Sequence, residues 1–124
     1  MKNESKNGTA LEKIFHEPNR LAIMSALCVA KEGATFRELK TKCNLTDGNL
    51  NRHLKVLQEN KAIRIKKAFV ENKPRTTVFI TKTGLNRFAE YLDALETIMK
   101  QAQQALPQKA RTQKISSIQS AQSA

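Results

Sequence analysis

Apolar positions recur along the chain at helical spacing, switch for one stretch to strand spacing, and then return to helical spacing. Leu11, Ile14 and Phe15 predict a helical turn or two, closed by Pro18. Proline suits the first position of a new helix, because its missing N–H would be unpaired there anyway. That helix is expected from about Asn19 to Lys31, with Leu21, Met24, Leu27 and Cys28 on one face and Gly33 stopping it. Thr35-Phe36-Arg37-Glu38 has the form of a capping box and opens a helix to about Cys43, with Phe36, Leu39 and Cys43 inward. Thr46 caps the next helix through its hydroxyl, and Asp47 places negative charge in the first turn, where the helix dipole favours it.

In that helix, expected over 46–59, Leu50, Leu54 and Leu57 form the buried stripe. Gly48, Asn51, Arg52 and Lys55 fall on the far side, with Asn49 at its margin and His53 at the edge. Glycine inside a helix costs roughly 1 kcal/mol against alanine, and one return for it is close approach of the backbone to something large and flat. Amide side chains and arginine are also the groups that read adenine and guanine edges in a DNA major groove. After Leu57 the period becomes strand-like: Ile63, Ile65 and Phe69 alternate with Arg64 and Lys66. Glu71-Asn72-Lys73-Pro74 turns the chain, and Thr76 to Ile80 returns as a second strand. Thr81 caps a long last helix, about Lys82 to Leu106. Its apolar residues Leu85, Phe88, Leu92, Leu95, Met99, Ala102 and Leu106 keep an unbroken heptad pattern.

These elements define a mainly α chain with a small β-hairpin: two helices across a short turn, a basic hairpin, and a long helix beyond. That is the winged helix-turn-helix order, with a long C-terminal dimerisation helix. The expected organisation is a flexible N-terminus at 1–9, a DNA-binding domain at 10–80, a dimerisation helix at 81–106 and a disordered basic tail at 107–124.

Charge sharpens the picture. The net charge is +11, with a pI near 10, which points to a polyanionic partner. Between residues 46 and 80 stand eight basic residues against three acidic ones, so the excess is concentrated on the helix and hairpin. No stretch approaches the roughly 18 consecutive apolar residues of a membrane span, and no apolar run follows the N-terminal lysines, so a cytoplasmic protein with no membrane partner is expected. Only two cysteines, Cys28 and Cys43, with no C-x-x-C spacing, fit a reducing compartment.

The chain resembles the winged-helix transcriptional regulators of the MarR/ArsR type, and a compact prokaryotic branch of them in particular. The matching segments are Glu17-Pro18-Asn19-Arg20-Leu21-Ala22-Ile23, Phe36-Arg37-Glu38-Leu39, Leu45-Thr46-Asp47-Gly48-Asn49-Leu50-Asn51-Arg52-His53-Leu54 and Pro74-Arg75-Thr76-Thr77. The resemblance implies a homodimer whose recognition helices enter successive major grooves, with wings at the flanking minor grooves or phosphates. It also implies regulation of transcription, often by repression. By position, Gly48, Asn49, Asn51 and Arg52 belong to the recognition helix, and Lys73 and Arg75 to the wing. Two departures stand out. Asn60-Lys61 replaces the Gly that often ends the recognition helix, with Asn60 the residue expected to turn left-handed, and the wing lacks a Gly near its tip.

The candidate double-stranded DNA contacts are therefore Thr46, Gly48, Asn49, Asn51, Arg52, His53, Lys55, Lys66, Lys67, Lys73, Arg75 and Thr76. The candidate homodimer interface joins Leu11 and Phe15 to the heptad residues of the last helix. A winged-helix module that dimerises and docks a protein without reading DNA is the alternative, although a neutral partner would not need the basic helix face. A small-molecule effector could sit between the wing side and the dimer helix, but no residue names one. ArsR-type relatives often sense metals through clustered Cys and His. Here Cys28, Cys43, His16 and His53 supply no C-x-C or H-x-x-x-H pair, so no metal or other cofactor is expected, and both cysteines are expected as small buried thiols. No Gly-rich phosphate loop, activated nucleophile or paired carboxylates appear, so an enzyme is not expected.

Overall fold

A computed structural model describes residues 11–107. The segments expected at 1–9 and 107–124 lie, apart from Pro107, outside the described residues. The chain divides into two compact units, one through Leu92 and one from Asp93. In the first unit, hydrogen-bonded turns at Leu11–His16 lead into helix α1, Pro18–Val29. The N-cap is Glu17, whose carboxylate accepts from the Arg20 N–H at 2.8 Å, and Pro18 occupies the first turn as its geometry favours. Strand β1 (Ala34–Thr35) precedes helix α2 (Phe36–Cys43), helix α3 (Asp47–Glu59), and the hairpin strands β2 (Ile63–Val70) and β3 (Lys73–Ile80). Helix α4, Lys82–Ala105, follows. The sheet is antiparallel in the order β1-β3-β2. Strand β1 was not expected; two residues are too short to show a period of two.

The caps explain where the helices begin and end. Thr35 and Glu38 complete the reciprocal capping box, and Asn44 in the left-handed conformation (φ 55°) ends α2. Thr46 caps α3 by accepting from the Asn49 N–H at 3.2 Å. The end of α3 corrects one expectation: Asn60 has φ −91°, and Lys61 is the left-handed residue at φ 63°. The N–H of Ala62 reaches the Leu57 carbonyl at 3.0 Å and that of Lys61 reaches Gln58 at 2.9 Å, which is the Schellman pattern with Lys61 in the place glycine usually takes. At the hairpin tip, Glu71 and Asn72 both have positive φ (54° and 63°), so a two-residue turn of the type I′ class joins the strands. Lys73 and Pro74 belong to β3 and not to the turn. Pro74 pairs with Phe69 beyond the reach of β1, where no third strand asks for its missing N–H.

The core is built from Ile23, Met24 and Leu27 of α1, Leu39 of α2, Leu50, Leu54 and Leu57 of α3, Ile63 and Val78 of the sheet, and Phe15, Phe88 and Tyr91. Within the first unit, the buried face of α4 is Gly84, Phe88 and Tyr91. Phe15 meets Phe88 edge-on at 5.3 Å and Tyr91 at 5.8 Å. This corrects two of the expected dimer contacts: Phe15 and Phe88 are 0% and 1% exposed, closed inside their own chain, because Tyr91 lies one helical turn on and completes an aromatic cluster. Leu85 and Leu92, by contrast, are exposed. Cys28 and Cys43 are half-buried rather than fully buried, and burial raises both thiol pKa values.

The wing closes at a narrow neck. The Thr81 N–H donates to the Ala62 carbonyl at 3.0 Å, and the Thr81 hydroxyl donates to the Lys61 carbonyl at 2.7 Å while accepting from the Gly84 N–H at 2.8 Å. A Cβ on Gly84 would stand 2.0 Å from the Ala62 carbonyl oxygen. Arg87 completes the junction, donating to the Asn60 carbonyl at 2.6 Å and pairing with Glu12.

Candidate nucleic-acid interface

Helix α3 turns its three leucines inward and leaves Gly48, Asn49, Asn51, Arg52 and Lys55 exposed, with Thr46 and Asp47 exposed at its start. Arg52 donates to the Asn49 side-chain oxygen at 3.2 Å, so guanidinium and amide lie side by side on the open face. Asp47 pairs with Lys40 of α2 at 2.7 Å, an exposed ion pair that links the two helices at their turn and offsets the carboxylate's charge. Nothing lies within 4 Å of where a Gly48 Cβ would sit. The fold of this chain therefore gives no steric reason for glycine there.

His53 is not on that face. Its side chain is 6% exposed, and the structure removes it from the candidate contacts. Position 53 follows Leu50 by three residues and so shares the buried stripe. Arg20 donates to Nδ1 at 3.2 Å, and since a guanidinium only donates, the ring proton belongs on Nε2. Nε2 is buried and finds no partner among the described residues. Burial lowers the His53 pKa, Glu17 at 3.8 Å opposes this, and the charges of Arg20 and Arg52 add to the lowering.

The strand register distributes the wing's basic residues between two faces. Lys66, Lys73 and Arg75 share one face with Arg64, whose guanidinium rests 4.2 Å over the Phe79 ring. Lys67 lies on the other with Phe69, Pro74 and Thr76. Lys66, Lys67, Lys73 and Arg75 are exposed and Thr76 is half-buried. Beside the start of α2, Arg75 and Arg37 flank a cleft of about 420 Å³ that Thr35, Phe36, Pro74 and Thr76 also line. Arg37 was missed from sequence, since on a short helix it looks like any solvated charge.

A helix-turn-helix whose second helix offers an open polar and basic face, followed by a basic antiparallel hairpin, is the winged-helix architecture. The family model of the winged helix DNA-binding domain matches residues 19–99, and the chain belongs to that family. An uncharacterized protein of Methanocaldococcus jannaschii is 40% identical over 80 residues, spanning 64% of this chain and 86% of its own length. The structure of a transcriptional regulator homologue from Pyrococcus horikoshii superposes with a TM-score of 0.70 at 28% identity, covering 79% of this chain and 97% of its own. The MepR–DNA complex of Staphylococcus aureus, at 16% identity, shares the fold with a TM-score of 0.61 over 94% of this chain and 92% of MepR. Among the described residues no helix is long and apolar enough to cross a membrane.

Proposed function

We propose that this protein regulates transcription as a homodimer that reads double-stranded DNA, with α3 in the major groove and the wing along the flanking minor groove or phosphates. The observation that carries the reading is the open face of α3: Gly48, Asn49, Asn51, Arg52 and Lys55 are all exposed, and the Gly48 backbone is uncovered. Asn49, Asn51 and Arg52 are the base-reading groups, whereas Lys55, Lys66, Lys67, Lys73 and Arg75 neutralise phosphates and set position. Repression follows from a dimer occupying promoter DNA. The second copy covers apolar residues that the chain itself leaves open, Leu85, Leu92 and Met99 of α4 and Leu106 just beyond it, which recur every seven residues and are 41–49% exposed.

The test is fluorescence anisotropy on DNA from upstream of the protein's own gene and on random DNA of equal length, across a salt series. Binding to the upstream DNA should outlast binding to random DNA as salt rises, because base contacts survive when counterion release no longer favours binding. Equal affinities that collapse together would overturn sequence reading and leave charge attraction alone.

A further inference from the structure

Phe69 is the most exposed large apolar side chain among the described residues, at 78%. It lies on β2 two residues before the tip, opposite Pro74, which is also exposed. Along its face of β2, Ile63 is buried and Ile65 half-buried, and then the core ends while an aromatic ring still follows. Strand pairing does not require a ring at this position, and its cross-strand partner Pro74 is itself exposed to water. Phe69 and Pro74 together make a small apolar patch rimmed by charged residues, the kind of surface a partner can cover. The hairpin's charge states the chemistry of that partner: Lys67 shares the face of Phe69, Lys66, Lys73 and Arg75 are exposed on the opposite face, and Glu71 is the one acid. The partner is a polyanion that also offers flat apolar surface, and duplex DNA joins both properties, phosphates outside and base pairs within.

We propose that Phe69, backed by Pro74, is an apolar wedge that enters the minor groove and partly unstacks a base step while Lys67 on its face and Lys66, Lys73 and Arg75 on the other hold the phosphates on either side. The inference rests on the DNA-reading function above and assigns the wing tip a role in deforming the duplex. It implies a preference for flexible pyrimidine–purine steps at the place where the wing lands, without a hydrogen bond to any base.

The experiment uses the full chain and its Phe69→Ala and Phe69→Leu variants, on duplexes from upstream of its own gene and on random duplexes, with 2-aminopurine placed at successive TA and CA steps. Because Phe69 is exposed, both variants should melt with the wild type. The wild type should raise 2-aminopurine fluorescence at a step flanking the α3 site. Phe69→Ala should abolish that rise and weaken binding roughly tenfold, with the salt slope unchanged because no charge is lost, and Phe69→Leu should keep most of both. Wild-type binding without unstacking, or Phe69→Ala binding as tightly as wild type, would overturn the wedge and leave DNA reading standing. Failure of the wild type to bind either duplex would overturn both. Binding to phosphatidylserine vesicles that depends on Phe69, beside DNA binding that does not, would reassign the ring to a lipid surface.

Discussion

Arg52 and His53 are neighbours in the chain, yet one stands in water and the other is buried, and each yields a prediction. Arg52→Ala should weaken binding to the preferred DNA by about 1–3 kcal/mol and relax preference at one base pair, if the guanidinium bonds a base edge. Anisotropy on single-base operator variants reads this directly, and a loss uniform across all sequences would assign Arg52 to a phosphate. For His53 the expectation concerns stability. The folded imidazole titrates below its ordinary 6.5, because burial disfavours its charged form and Arg20 faces Nδ1, while Glu17 pulls the other way. Between the folded value and 6.5 the unfolded chain therefore binds more protons, so stability rises with pH across that window. The contribution is complete above 6.5 and fades as pH falls below it. Thermal melts should show a declining midpoint as pH drops beneath 6.5, and His53→Gln should flatten that limb. Identical slopes for the two proteins would show that another group is responsible. The Glu17 carboxyl cannot mimic the effect. Burial raises its pKa, but the Arg20 N–H and the His53 and Arg20 charges lower it further, so its share is lost only as pH falls below 4.5.

At the scale of elements, the helices were legible because their signals are local: a hydroxyl or carboxylate at the cap, an apolar residue every three or four positions, an acid in the first turn. Thr35, Thr46 and Thr81 act as the sequence implied. What escaped was set by contacts distant in sequence. The heptad pattern on the last helix is real, but its residues face different ways, since Phe88 turns towards Phe15 while Leu85 and Leu92 are exposed. Periodicity records that a face is apolar and is silent about what covers it. The positive φ of Lys61 and Glu71 was also hidden, because neither residue type advertises the left-handed region as glycine or asparagine does. The open α3 face was legible apart from His53, whose polarity masked its inward phase. Gly84 escaped for a related reason: a glycine in a helix looks like a weakness until the Ala62 carbonyl is found against it. Gly84→Ala should destabilise the protein by about 2 kcal/mol or more in denaturant unfolding, since a backbone oxygen must move to admit the methyl. A neutral outcome would mean that the junction of wing and last helix yields easily.

For the whole molecule, the proposed homodimer makes a prediction about the exposed face of α4. Met99→Glu alters a residue 49% exposed in its own chain, so the fold should tolerate it, whereas an apolar seam with a second copy should not. Sedimentation should show the wild type as a dimer and Met99→Glu as a folded monomer; a dimer that survives the charge would place the contact elsewhere. The neck at Ala62 and Thr81 has a different consequence. Ile63 and Val78 sit in the core and Thr77 pairs with β1, so the hairpin beyond them is an outgrowth, closed at its base and free to change in length. Hairpins of other sizes and tips could be exchanged there, from Lys67 to Thr76, while the Leu57, Ala62 and Gly84 packing beneath stays as it is. In evolutionary terms the outer hairpin is a replaceable part, which can be swapped without redesigning the body that carries it.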